Sequence, residues 1–197
     1  MSKAKTKHEI EELRKKIISE TEYLGSEVVY KNEFYFVSHT KSRFKNYLKN
    51  SYTISKNSQG GAFIIAERDE KLLLILQFRS NSRHISYEFP AGSTFENEDA
   101  SIAAIRELQE ETGFVCKKIS KIGEYDAVPG ISNINHVVFL AENLEQKEKS
   151  HEESEVILDQ GFFTLDEIDE MISDGRITDG PTITCLYYYI LHKRNHA

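Results

Sequence analysis

GSTFENEDASIAAIRELQEETGF, residues 92–114, carries three glutamates that a helix would bring together. On a helical reading beginning near Glu98, Glu107 and Glu111 lie one turn apart on one face, with Glu110 beside them. At about 100° per residue the other face carries Ser101, Ala104, Ile105 and Leu108, enough apolar surface to pack against a sheet. The acidic face is then expected to look outward. Such a face is ordinarily only solvated, but here Gly113 can take the left-handed C-cap geometry, which places Glu110 and Glu111 at the C-terminal end of the helix. The macrodipole disfavours anions there. Arg106 can pair with Glu110 at i,i+4, yet one arginine does not neutralise three glutamates. An oxygen-seeking divalent cation, Mg²⁺ or Mn²⁺, would do so.

Gly92, five residues, Glu98, seven residues and then Arg106-Glu107-Leu108-Gln109-Glu110-Glu111-Thr112-Gly113-Phe114 resembles a complete Nudix box. That box is the signature of hydrolases acting on nucleoside diphosphates linked to another moiety. A match at about eight defined positions over 23 residues is far more specific than a lone glycine-rich loop. The resemblance implies an α/β/α sandwich around a mixed sheet, with residues 92–114 forming loop, helix and loop. It also implies that the Ala91 carbonyl joins Glu107, Glu110 and Glu111 in holding Mg²⁺ or Mn²⁺, while Gly92, Glu98, Arg106 and Gly113 support the box. Outside the box the likeness runs from about residue 28 to 191, more loosely before Gly61.

The rest of the composition is compatible with such an enzyme. At 197 residues the chain can form one domain with a small appendage and a core that needs no staples. The split expected is an N-terminal helix and β-rich extension over residues 1–60 and a hydrolase domain over 61–197. A formal charge of −7 argues against a polyanion-binding surface and so against nucleic acid. Cys116 and Cys185 stand far apart, which suggests neither a zinc cluster nor a disulfide framework and leaves a reduced cytoplasmic setting as the expectation. No apolar run has signal-peptide or membrane-spanning character.

Upstream, residues 8–21 read as a helix with a narrow stripe of Ile10, Leu13 and Ile17, its basic residues interleaved with glutamates. Residues 28–37 read as one or two strands, whereas residues 40–58 resist assignment. Phe44, Tyr47 and Tyr52 stand there among basic residues; packing of a small sheet or subunit interface is the favoured reading over stacking on RNA. The resemblance to ADP-ribose pyrophosphatases implies a homodimer formed through this part. Residues 62–66 and 72–78 form a hairpin of the central sheet around Glu67-Arg68-Asp69-Glu70. Gln77-Phe78-Arg79 and Tyr87-Glu88-Phe89-Pro90-Ala91-Gly92 are similar to the stretch leading into the box in that branch. The likeness makes Arg79 a contact for the substrate diphosphate, in keeping with the planar donor fork of arginine, and puts Glu88 in the substrate site.

Downstream, residues 115–125 are strand-like, and Pro129-Gly130 with Ser132 lies at the distance from the box that marks the same branch. Ser132 is therefore a candidate substrate contact, although Ile131-Ser132-Asn133 lacks the acidic residue that many relatives carry soon after the serine. Residues 135–140 form another strand, on which His136 reads as structural. Residues 142–155 read as a charged loop. In similar enzymes one glutamate of such a loop enters the cleft as a base or ligand; Glu152, Glu153 and Glu155 are the candidates, with Glu153 favoured for its position two residues before the strand-start glutamate. A strand over 156–163, a helix opened by a Thr164–Glu167 capping box and a final helix over 183–193 complete the chain.

The reading is a metal-dependent hydrolase of ADP-ribose that yields AMP and ribose 5-phosphate. Alternatives are hydrolysis of GDP-mannose or UDP-glucose, a catalytically weak nucleotide-binding module, and RNA decapping.

Overall fold

The computed structural model describes residues 4–56, 60–147 and 156–196. The chain divides into two compact units, Met1–Asn57 with Val128–Asn133, and Ser58–Ala127 with Ile134–Ala197.

The first unit opens on α1 (Lys7–Ser19), started by a reciprocal capping box between Thr6 and Glu9. An antiparallel meander of β1 (Thr21–Lys31), β2 (Tyr35–Phe44) and β3 (Tyr47–Lys56) follows. The stretch that resisted assignment is thus the end of β2 and all of β3. Its Lys, Asn and Ser obscure the β pattern, but Lys45 takes a positive φ of 52° between Phe44 and Tyr47, which are paired across the turn. Residues 128–133 return to this unit. Ile54 N–H donates to the Ile131 carbonyl at 2.8 Å, and a bridge joins Ile54 to Ser132.

The second unit contains β4 (Gly61–Arg68), β5 (Lys71–Arg79), β6 (His84–Glu88), β7 (Ala91–Ser93), α2 (Ala100–Thr112), β8 (Phe114–Asp126), β9 (Asn135–Gln146), β10 (Val156–Phe163), α3 (Leu165–Ser173) and α4 (Gly180–His196). The sheet order is β10-β5-β4-β9-β8, with β6 beside β5 and β7 beside β4. β4 and β9 run parallel and the other neighbours antiparallel, so the sheet is mixed. The β4–β5 turn is shorter than expected: Arg68 pairs with Lys71, leaving Asp69 and Glu70 as two positive-φ turn residues.

Period-two alternation divides the strands between two cores. Ala62, Ile64 and Ala66 of β4, Leu73 of β5, and Phe139 and Ala141 of β9 pack with Ala103, Ala104 and Leu108 of α2. Ile65, Leu72, Leu74, Val138 and Leu140 point the other way, onto Ile168 and Met171 of α3 and Cys185, Leu186 and Tyr189 of α4. Helices thus cover both sheet faces, the layering that the resemblance implies. The α2 side mixes alanines (Ala62, Ala66, Ala141, Ala103 and Ala104) with larger residues, and the alanines favour a close approach of that helix to the sheet. A one-residue slip would bring the bulky set beneath it.

Two expectations need correction. The charged loop begins later than expected, because β9 continues through Gln146. Backbone pairing with β8 carries the ladder out to Phe114 opposite Gln146, and lysines on β8 lie beside its glutamates: Lys118 pairs with Glu142 at 2.6 Å and Lys117 with Glu145 at 2.5 Å. Second, α4 begins at Gly180 and runs to His196, longer at both ends than 183–193. It docks on β8 through Tyr188, whose hydroxyl donates to the Glu124 carbonyl at 2.7 Å.

Gly123 lies beside a bulge in β8, and a Cβ there would run into the base of the Tyr188 ring. Gly123→Ala is expected to destabilise the protein by about 1–3 kcal/mol, read as a lower urea midpoint at constant m value. An unchanged midpoint would show that Tyr188 can swing clear.

Candidate active site

The α2 helix starts one residue after Asp99, whose carboxylate accepts the Ser101 amide at 2.8 Å, and ends at Gly113 with φ of 75°. Glu98 therefore sits just outside the helix, where it accepts the Phe95 amide at 2.8 Å and faces back toward Arg106. Arg106 engages both Glu98 oxygens at 3.1 Å through Nε and Nη2. Its Nη1 donates to Glu107 at 2.7 Å and Glu110 at 3.0 Å, and Nη2 also reaches the Ser93 carbonyl at 3.0 Å. The guanidinium plane lies 4.3 Å from the Phe95 ring centre. Partial burial works against the Arg106 charge, but its hydrogen bonds to Glu98, Glu107 and Glu110 prevail and hold it firmly protonated. In return, Arg106 holds the Glu98 carboxyl below its ordinary range.

The acidic face does not look outward as expected. Glu111 is 2% exposed, and its Oε2 accepts the Ala91 amide at 3.0 Å. The other two glutamates are also partly covered, with Glu107 12% and Glu110 25% exposed. The cause is β7: pairing of Ala91–Ser93 with β4 lays this short strand across α2. Gly92 makes the approach possible, since a Cβ there would collide with the Glu107 carboxylate. Ala91, Gly92, Glu107 and Glu111 therefore form one cradle.

Among the described residues, no three His, Cys, Asp or Glu side chains converge on one point as a metal cluster. Arg106 and the Ala91 amide organise the carboxylates instead. The donor set nevertheless fits a hard divalent ion: it is all oxygen, lies within about one helical turn, and adjoins a glycine that lets the β7 backbone come close against the Glu107 carboxylate.

Arg79 ends β5, in register with His84, while Glu88 lies further along β6 opposite Ile75. Arg79 Nε and Nη2 both donate to Glu88 Oε2, at 3.1 and 2.6 Å. Glu88 is 3% exposed and Arg79 44%, so the carboxylate is the buried anchor and the guanidinium its outward end. Burial pushes the Glu88 carboxyl up, and Arg79 only partly pulls it back. Burial also opposes the charge of Arg79, but Glu88, Glu111 and Asp179 together raise its pKa. Arg79 and Glu111 thus act within one electrostatic neighbourhood. Asp179 belongs to it as well, although it is not among the site residues expected from the sequence. An Asp followed by Pro two residues on is an N-cap signature that could have drawn attention to it.

Ser132 and Glu153 complete the candidates. Ser132 is in the first unit, bridged to Ile54. Glu153, with Glu152 and Glu155, lies outside the described residues.

The NUDIX domain model matches residues 58–184. ADP-ribose pyrophosphatase of Bacillus subtilis (strain 168) is 30% identical over 140 residues, covering 70% of this chain and 76% of that protein. The methanol dehydrogenase activator of Bacillus methanolicus is 30% identical over 134 residues, covering 67% and 72%. A crystal structure of an ADP compounds hydrolase matches with a TM-score of 0.80 over 90% of this chain and 96% of that one, at 18% identity, a likeness of fold alone. With the family model spanning more than half its length and the box carboxylates gathered on α2 against Ala91, the chain belongs to the Nudix family, as a pyrophosphohydrolase of ADP-ribose pyrophosphatase-like character.

Proposed function

We propose that the chain hydrolyses the diphosphate bond of ADP-ribose, giving AMP and ribose 5-phosphate, in a reaction that requires Mg²⁺ or Mn²⁺. The observation that carries the reading is the cradle in which Glu111 meets the Ala91 amide while Glu107 lies against Gly92, within the field of Arg79. Glu107, Glu110, Glu111 and the Ala91 carbonyl are the groups that would hold the metal. Bound there, a divalent ion would offset the diphosphate charge and acidify water.

The protein's own residues do the remaining work. Arg106 holds Glu107 and Glu110 close together on one guanidinium before substrate arrives. Arg79 presents a guanidinium to the diphosphate with one side already fixed by Glu88, so little rotamer freedom is lost on binding. Glu88 serves the substrate through Arg79, being itself almost fully covered. Glu153 is assigned the role of orienting or deprotonating water, and Ser132 that of a sugar-side contact. The choice of ADP-ribose is supported by Gln77-Phe78-Arg79, Tyr87-Glu88-Phe89-Pro90-Ala91-Gly92 and Pro129-Gly130, and by the likeness to the Bacillus subtilis ADP-ribose pyrophosphatase.

The reading extends to a cytoplasmic homodimer. Its first unit exposes the apolar side chains of Ile10, Ile17, Tyr23, Tyr47, Leu48 and Tyr52, some of which a second copy would cover. No described helix is long and apolar enough to cross a membrane.

Glu111→Gln is expected to lower kcat at least about a hundredfold while circular dichroism remains native, because it removes one carboxylate charge at nearly constant volume. Near-normal turnover by chelator-stripped protein would sink the metal-dependent mechanism. In a side-by-side assay, kcat/KM for ADP-ribose should exceed that for GDP-mannose and UDP-glucose by about tenfold; a preference of that size for another sugar nucleotide would reassign the substrate. Equilibrium sedimentation at assay concentration should give twice the 22.7 kDa chain mass, and a monomer alone would refute the dimer.

A further inference from the structure

Phe89 and Pro90 join β6 to β7, and the peptide that follows them is the one facing Glu111. Three hydrogen bonds anchor this turn. Ile64 N–H donates to the Pro90 carbonyl at 2.8 Å, Ala91 N–H donates to Glu111 at 3.0 Å, and Phe89 N–H donates to Thr182 Oγ1 at 3.2 Å. The first two partners lie on β4 and α2. The third comes from α4, 93 residues away in the chain. Phe89 and Thr182 are each 1% exposed, so water cannot replace either partner.

Thr182 is itself held in place. Asp179 caps α4: its Oδ2 accepts the Thr182 amide at 2.8 Å and its carbonyl accepts the Ile183 amide at 3.2 Å. Pro181 occupies the first turn, where its missing N–H has no intrahelical use. Ile177, Cys185, Leu186 and Tyr189 pack this end of the chain into the core, so the threonine hydroxyl projects from a rigid element. On the receiving side, Pro90 has a nearly fixed φ, and displacement of Phe89 therefore passes to Ala91 instead of being absorbed. Gly92, already close against Glu107, leaves no slack beyond.

We propose that Thr182 is a positioning residue for the Ala91 backbone: its hydroxyl, seated by the Asp179 cap, sets Phe89 and, through Pro90, the peptide opposite Glu111. Affinity for the divalent ion then depends on a hydroxyl on α4 that belongs to neither the box nor the strand before it. The inference rests on the reading of Ala91 and Glu111 as metal-binding groups.

The test is a Mn²⁺ titration of substrate-free protein followed by electron paramagnetic resonance, which counts free ion without using turnover. Thr182→Val keeps the shape and removes the acceptor; it should raise the Kd for Mn²⁺ about tenfold, the size of effect expected for a group that orients a ligand. Thr182→Ser restores the acceptor and should remain within about twofold of the unaltered chain. A valine variant with unaltered affinity, or a serine variant as weak as valine, overturns the proposal. Failure of the unaltered chain to bind Mn²⁺ would remove the metal reading and this inference with it, whereas tight binding by both the unaltered and valine proteins would remove this inference alone. Should the valine variant not fold, hydrogen exchange in the unaltered protein decides the matter. Saturating Mg²⁺ should slow exchange of the Phe89 amide at least about tenfold more than that of Leu140 in the core, and equal slowing at the two positions overturns the proposal.

Discussion

The site depends on placing several carboxylates side by side before any substrate binds. Like charges about 4 Å apart repel by roughly 4 kcal/mol at an effective dielectric of ~20, so the cluster needs a permanent cation. Arg106 supplies it. One guanidinium meets Glu98, Glu107 and Glu110, reaches the Ser93 carbonyl and stacks on Phe95. A surface pair of the same kind would contribute little. Partial burial and several simultaneous partners make this network different, and the spacing of its members ties the entry loop of α2 to the body of that helix.

That network would have no purpose if α2 stood away from the sheet. Small residues set the separation: Ala62, Ala66 and Ala141 on the strands meet Ala103 and Ala104 on the helix. Close packing brings β7 over the acidic face, so Glu111 accepts a backbone amide instead of water. The energetic consequence is mixed. Burying Glu111 carries a desolvation cost, offset in part by the Ala91 amide and the nearby charge of Arg79. A carboxylate kept in this setting is poised to gain from a further cation, which links the packing of the helix to its chemistry.

The Arg79–Glu88 pair repeats this logic at the strand ends. A buried carboxylate fixes an arginine whose outer part remains accessible, and Asp179 contributes to the same field from the start of α4. The helix that closes one sheet face is therefore also connected to the site at the strand ends. Fold and site share Asp179 and Thr182, so packing of α4 and placement of the Phe89–Ala91 turn cannot be varied independently.

Much of this was legible in the sequence where a local rule operates. Helical periodicity joined Glu107, Glu110 and Glu111, Gly113 marked the helix end, and Thr164 with Glu167 marked another helix start. Residues 156–163 read directly as a strand, and the spacing of the box was sufficient to indicate the family. Other features arise between distant segments and leave no local trace. Burial of Glu111 depends on β7 crossing α2, β9 continues because β8 pairs with it as far as Gln146, and β3 forms against β2 despite a polar sequence. The Thr182–Phe89 hydrogen bond spans 93 residues. Periodicity and capping are properties of neighbouring residues, whereas burial and hydrogen-bond satisfaction are set by whichever segment packs alongside; sequence alone therefore determined which groups could do the chemistry, and tertiary structure decided which of them are covered, paired and held.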